Sequence, residues 1–280
     1  MKSAVIRTMT LAMIAAMLLP GCQKSNYKLN EIYTLDGSGT KDAAELLENV
    51  ASLKIYFGHQ SVGNDILDGV EQWENETGVH LKKVESKDFS SVGDASLVHF
   101  GVGSNTDPRS KIDDFVTLVE QIPLEDSPVA FFKLCYVDIT GDTDIEPLYE
   151  YYKEKMLYLK ESSPNIRFMV STVPLKGRQK GIKAIVKKLL GRQPTGVLGN
   201  IKRNEFNERL IKEFKGVLPI FDLGGIESTR PDGTIETYSF KGYEYACMHK
   251  NYTYDYGHLT ELGAKTLSYN LLAFLAKEFK

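Results

Sequence analysis

Cysteine is scarce in this chain of 280 residues: only Cys22, Cys135 and Cys247 are present. So few thiols exclude a disulfide framework as the basis of the fold. Cys135 and Cys247 are expected as free thiols, a single bridge between them in an oxidising compartment being the alternative. Histidines, cysteines and carboxylates nowhere fall at metal-ligand spacing, so no metal is expected; no cofactor-binding motif occurs, so no cofactor is expected either. A long hydrophobic run is also missing. The apolar stretch Leu11–Leu19 follows Lys2 and Arg7 and is too short to span a bilayer, which marks residues 1–21 as an export signal. Nor is there a basic excess: the formal charge is −3, and becomes −5 once Lys2 and Arg7 leave with the signal. A mildly acidic chain is a poor general binder of nucleic acid, and no nucleic-acid partner is expected.

What is present begins at the end of that signal. Leu19-Pro20-Gly21-Cys22 resembles a bacterial lipobox, in which cleavage precedes the cysteine and the cysteine is lipidated. Cys22 is thus the expected lipid anchor to the bacterial cell envelope, on its periplasmic face or outer surface; an ordinary signal peptide with a chance cysteine is the alternative. Residues 22–40 are polar and read as a tether, leaving 41–280 as one domain with a sizeable core, expected as a monomer.

Within that domain short β-rich runs alternate with amphipathic stretches, the pattern of an α/β fold with a parallel sheet and helices on both faces. The expected strands are Leu53–Phe57, Val79–Val84, Leu97–Val102, Val129–Tyr136, Ile166–Thr172 and Leu218–Leu223. The expected helices are Asp65–Glu76, Lys111–Gln121, Asp144–Ser162, Lys202–Phe214 and Glu261–Lys280. One insertion, residues 174–199, carries seven basic residues (Lys176, Arg178, Lys180, Lys183, Lys187, Lys188 and Arg192) and no acid. Its Ile182, Ile185, Val186, Leu189 and Leu190 share one helical face. Two readings stay open: a helix packed on its own domain with a solvated basic face, or a lid or membrane-surface contact drawn to anionic lipid or phosphorylated glycan.

The residues that carry chemistry lie at the two ends of the domain. The first strand breaks into Gly58-His59-Gln60-Ser61-Val62-Gly63-Asn64, which places Ser61 where strand gives way to helix. A serine there is exposed at the carboxyl edge of the sheet, and a helix N-terminus favours negative charge beside it; it also suits a simple N-cap. Asp255-Tyr256-Gly257-His258 precedes the final helix. A serine hydroxyl needs a base, His258 supplies one, and Asp255 fixes the imidazole tautomer.

This arrangement resembles the SGNH/GDSL hydrolase superfamily, and most closely its bacterial members with Gly-His-Gln-Ser at the nucleophile. The resemblance implies a three-layer α/β/α sandwich around a central parallel five-stranded sheet, flavodoxin-like. It also implies Ser61 as nucleophile, His258 as base and Asp255 as its partner. The family completes its oxyanion hole with a glycine, for which Gly103 is the candidate, and with the asparagine of a Gly-x-Asn-Asp motif. Here that motif reads Cys135-Tyr136-Val137-Asp138, so the asparagine is replaced by Val137. A missing donor costs about 2.7–4 kcal/mol of transition-state stabilisation. Asn105, with Lys133 behind it, is the expected substitute; an Asx-turn and a surface charge are their structural alternatives.

His59 and Lys133 are candidate substrate-binding residues, whereas His80, His99 and His249 are expected to be structural or on the surface. Asn200, Arg203, Asn204 and Asn207 form a polar stripe at helical spacing, expected at the surface. Tyrosines 243, 245, 252, 254 and 256 cluster near the Asp-x-x-His loop and suit sugar-ring stacking. The expectation is a secreted serine esterase that removes acyl groups, most simply acetyl, from a carbohydrate or similar small ester. An O-acyltransferase and a non-catalytic glycan-binding envelope protein are the alternatives.

Overall fold

The computed structural model describes residues 32–34 and 40–280 except 126. The signal, Cys22 and almost all of the tether lie outside the described residues.

In chain order the elements are α1 (Thr40–Ala51), β1 (Ile55–His59), α2 (Ser61–Thr77), β2 (Lys83–Glu85), β3 (Leu97–Gly101), α3 (Pro108–Val119), β4 (Val129–Phe132), α4 (Ile145–Ser162), β5 (Arg167–Phe168) and β6 (Val170–Ser171). They continue with α5 (Ile182–Leu189), α6 (Val197–Phe214), β7 (Ile220–Phe221), α7 (Leu223–Ser228), β8 (Thr237–Phe240), β9 (Tyr243–Ala246) and α8 (Glu261–Phe279). A parallel five-stranded sheet runs β2-β3-β1-β4-β5. Beyond a break at Met169, β6 pairs in parallel with β7. Apart from the short edge strand β2, the chain moves from β1 to β3 on one side and then to β4 on the other. The switch point therefore lies between β1 and β4, where ligands bind in open α/β sheets.

The strands alternate strictly. Ile55, Phe57, Val129 and Phe131 face one core with α1, α2 and α8; Tyr56, Val98, Phe100, Ala130 and Phe132 face a second core with α3, α4 and α6. Both sheet faces are covered, so the strands read as continuous apolar runs, each buried large side chain contributing about 1.5–3 kcal/mol. The two chain ends meet where α2 packs on α8: Gly69 lies so close to Ala264 that an added Cβ would come within 2.2 Å of its carbonyl oxygen. Trp73 Nε1 donates to Lys265 O at 3.0 Å.

Several boundaries differ from expectation. The strand expected at 79–84 forms only at 83–85, and the one expected at 166–172 is broken into β5 and β6. Leu223 belongs to α7, because Asp222 caps that helix by accepting from Gly225 N. The helix α1 and the antiparallel β8–β9 hairpin were not anticipated. The amphipathic signal of α1 rests on Ala43, Leu47 and Val50, all buried. Cys135 and Cys247, expected as free thiols, are both free, and both are buried.

Candidate active site

The loop after β1 is shaped by two glycines. A Cβ on Gly58 would meet Val102 Cγ1 at 2.8 Å and Phe132 Cβ at 3.0 Å; one on Gly63 would meet the His59 ring at 2.3 Å. The close approach at Gly58 lets the neighbouring strands' side chains close over β1. The one at Gly63 lets His59 fold over the first turn of α2. Gln60 is the N-cap residue, and its amide donates to the carbonyls of Val102 (2.8 Å) and Gly103 (3.1 Å), tying this loop to the end of β3. Ser61 is the first helical residue rather than the cap. Its N–H therefore has no intrahelical acceptor and faces the positive end of a helix of 17 residues.

At the other end of the chain, Asp255 Oδ1 accepts from the N–H groups of Gly257 (2.8 Å) and His258 (2.7 Å), curling the loop into an Asx-type turn. Tyr256 takes a left-handed φ of 73°, and its carbonyl accepts from Gly177 N at 2.9 Å. Gly257 must be glycine, since a Cβ would fall 2.4 Å from the Tyr136 ring. Asp255 Oδ2 then accepts from His258 Nδ1 at 2.6 Å, which leaves Nε2 as acceptor, and Ser61 Oγ donates to it at 3.3 Å. Partial burial works against the Asp255 charge. The hydrogen bonds from the His258 ring and from the His258 and Gly257 N–H groups outweigh it, so its pKa falls below the usual value and the carboxylate stays ionised. Asp65, one turn after Ser61, accepts from Leu259 N at 3.0 Å, so α2 holds the histidine loop directly. Sequence reasoning missed Asp65, although its i+4 spacing from Ser61 was the available signal.

The remaining candidates are placed differently from expectation. Gly103, with φ +45°, packs so tightly under Lys111 that a Cβ would lie 2.5 Å from Lys111 N, and its own N–H donates to Asp114 at 2.9 Å. That N–H is engaged in this arrangement. Asn105 is exposed, and the lysine behind it is Lys111, whose Nζ donates to Asn105 Oδ1 at 2.9 Å. Lys111 also forms a fully buried ion pair with Asp138 (2.7 Å), and Asp138 accepts in addition from Cys135 N (2.6 Å) and Thr106 N (3.0 Å). The retained aspartate thus organises the loops around the switch point. Lys133, expected behind Asn105 on the substrate side, is buried with Nζ 3.8 Å from Cys135 Sγ.

His59 is corrected from substrate binding to structure. It is 3% exposed, its Nδ1–H donates to Gln60 O (3.1 Å), and Nε2 accepts from His99 Nδ1 at 3.2 Å. Burial drives its pKa to about 3, with Lys133 and His99 pushing the same way against the Gln60 carbonyl, so it is neutral at physiological pH. The α6 stripe is also corrected: Asn200, Arg203 and Asn207 are buried. Asn207 brackets Val173 through both its N–H and its carbonyl, Asn200 does the same for Lys176, and Arg203 Nε donates to Tyr136 O at 2.9 Å. The stripe is therefore a clamp on the loops beside Ser61 and His258.

No family model and no curated protein matches this sequence. Solved structures are similar in fold. One is a member of the lipolytic protein G-D-S-L family from Veillonella parvula DSM 2008, at 14% identity and TM-score 0.43 over 78% of this chain and 95% of that one. Another is the lipopolysaccharide acetyltransferase periplasmic domain of Salmonella ser. Paratyphi A, at 14% and 0.43 over 83% and 95%. A third is a Streptococcus pneumonia protein, at 11% and 0.44 over 84% and 90%. The likeness is one of fold. What this chain shares with the SGNH/GDSL superfamily in its own residues is the order serine, aspartate, histidine and their places after the first strand and before the last helix.

Proposed function

We propose that this chain is a serine esterase of SGNH type that removes acyl groups, most simply acetyl, from a carbohydrate at the bacterial cell envelope. The observation that carries the proposal is the continuous hydrogen-bonded line from Asp255 through His258 to Ser61, assembled from two ends of the domain at the sheet's switch point. In the first step Ser61 Oγ attacks the ester carbonyl while His258 Nε2 takes its proton. Asp255 stabilises the imidazolium, and the free Ser61 N–H donates to the developing oxyanion, with the exposed Asn105 amide as the second donor. Collapse of the tetrahedral intermediate releases the sugar hydroxyl, which receives the proton from His258. Water activated by His258 then frees the acid from the acyl-enzyme.

The Tyr254 ring stacks on His258 with centroids 6.1 Å apart, and the Tyr136 ring meets it edge-on at 5.9 Å, aromatic surfaces of the kind that pack against sugar rings. The lipobox-like Cys22 supports the envelope location. Acid-quenching the enzyme during turnover of p-nitrophenyl acetate tests the covalent step. A mass increase of one acetyl group on the Ser61 peptide is expected; an unmodified Ser61 peptide during turnover excludes this mechanism.

A further inference from the structure

Beside the triad runs the segment Lys176-Gly177-Arg178-Gln179-Lys180, which carries a cation at every second residue. Its backbone is held rigidly. Lys176 exchanges hydrogen bonds with Asn200 and accepts from Met248 N; Gly177 N donates to Tyr256 O, and Gln179 N to Thr195 O. Against it lies a cavity of about 130 Å³ lined by Arg178, Lys180, Lys250, Glu236, Tyr254 and Tyr256, among others. Tyr254 and Tyr256 flank Asp255, so the cavity and the triad share one loop.

The charges in this cavity do not balance. Glu236 is its acid, already held by Lys180 (3.0 Å) and Arg230 (2.8 Å). Arg178 and Lys250 have no carboxylate partner among the described residues. Arg178, half-buried as a residue, sets its guanidinium over the Tyr238 ring at 5.7 Å. Lys176, outside the cavity lining, has its Nζ 4.7 Å from the centre of the Tyr136 ring and within electrostatic reach of Asp255 on the triad side. A guanidinium kept partly desolvated without a counter-ion is poised to bind a planar or tetrahedral oxyanion.

We propose that this cavity is an anion subsite, and that the substrate is an acyl ester carrying a carboxylate or phosphate close to the sugar that bears the acyl group. This deepens the esterase reading and rests on it for the word substrate. Two measurements on the full chain test it separately. In the first, KM is compared for O-acetylated glucose, glucuronate and glucose 6-phosphate. At least one charged ester is expected to show a KM about tenfold lower than the neutral one, and Arg178→Ala with Lys250→Ala is expected to collapse that ratio to about one. The two charged esters distinguish carboxylate from phosphate. Equal KM values for all three, or a ratio unaltered in the variant, would overturn the proposal. In the second, Ser61→Ala is titrated calorimetrically with unacetylated glucuronate and glucose 6-phosphate. Saturable binding that Arg178→Ala abolishes supports the subsite even if no ester is turned over, and absence of binding by either ligand overturns it.

A separate observation carries a second inference. On α5 Ala184 is buried, while Ile182, Ile185, Val186 and Leu189, with the adjacent Leu190, are 80%, 58%, 47%, 82% and 69% exposed. The helix therefore does not bury its apolar face on its own domain. This aliphatic stripe is bordered by the exposed Lys183 and lies in a segment, 174–199, without a single acid. We infer that α5 lies on an anionic bilayer surface, apolar face down, as basic amphipathic helices do. The test uses Cys22→Ser, which removes any acyl anchor, in co-sedimentation with vesicles of phosphatidylcholine alone or mixed with phosphatidylglycerol. Binding about tenfold stronger to the anionic vesicles is expected, lost with Ile185→Glu and Leu189→Glu and weakened by salt. Absence of vesicle binding, or binding indifferent to those substitutions, contradicts the inference. A self-associated species in sedimentation velocity that the same substitutions disperse would assign the face to a second copy and likewise overturn it.

Discussion

Replacing Lys111 with methionine removes an ammonium that is wholly buried and keeps its aliphatic stem. Its partner Asp138 is equally buried and would retain only two backbone donors, Cys135 N at 2.6 Å and Thr106 N at 3.0 Å. Breaking a buried pair by removing one member costs about 3–5 kcal/mol, because the remaining charge is left uncompensated. The two surviving N–H donors hold the loss near the lower figure, about 3 kcal/mol. For a domain of this size each kcal/mol lowers Tm by about 2–4 °C, so calorimetry should show a fall of about 6–12 °C, and urea melts a lower midpoint with an unchanged slope. Adding Asp138→Leu removes the stranded charge and should restore part of the loss. The reasoning is refuted if Lys111→Met costs under about 1 kcal/mol, or if the double variant is less stable than the single one.

Three further outcomes follow from the same geometry. Asp255→Asn removes the anion that orients His258 and should lower kcat for p-nitrophenyl acetate by about 10⁴-fold with KM nearly constant; a loss below tenfold would show that Asp255 does not serve the histidine. Asp65→Ala unties Leu259 from α2 and should reduce kcat about tenfold with little change in Tm, read from the same assay and a melt; a full-rate enzyme would remove Asp65 from the positioning network. Burial raises Glu227 from 4.5 to about 8, against the Leu175 N–H and the charges of Lys133 and Arg203. The folded state thus keeps a proton that the unfolded chain loses above 4.5. The resulting stability is complete below pH 4.5 and is lost as pH rises to about 8. Glu227→Gln should flatten that decline in urea melts at pH 5 and pH 8, and an identical slope in parent and variant would contradict it.

The positions of Ser61 after β1 and of the Asp-x-x-His loop before α8 were legible because they depend on residue type, chain order and position next to a strand or helix, all of which a sequence displays. Which polar residues are buried was not. Lys133 reads as a substrate-side residue behind Asn105, and Asn200, Arg203 and Asn207 as a solvated stripe, because burial is decided by what packs across the sheet and not by local spacing. The His59 reading failed for the same reason: it stands two residues from Ser61 in sequence, but its partner in space is His99, one strand over. The break at Met169 and the β8–β9 hairpin were hidden because strands of two to four residues leave too little periodicity to read. The α5 stripe was plain in the sequence, but whether it faced protein or solvent was settled only by the exposure of its aliphatic residues.

The central claim is that Ser61, activated by His258, is a nucleophile. Incubation of the purified chain with a fluorophosphonate probe, together with p-nitrophenyl acetate turnover, tests it most directly. The account predicts labelling at Ser61 and measurable hydrolysis in the parent chain, with both lost in Ser61→Ala and in His258→Ala. A parent chain that neither takes the label nor turns over the ester, or that does both equally well as Ser61→Ala, would contradict it.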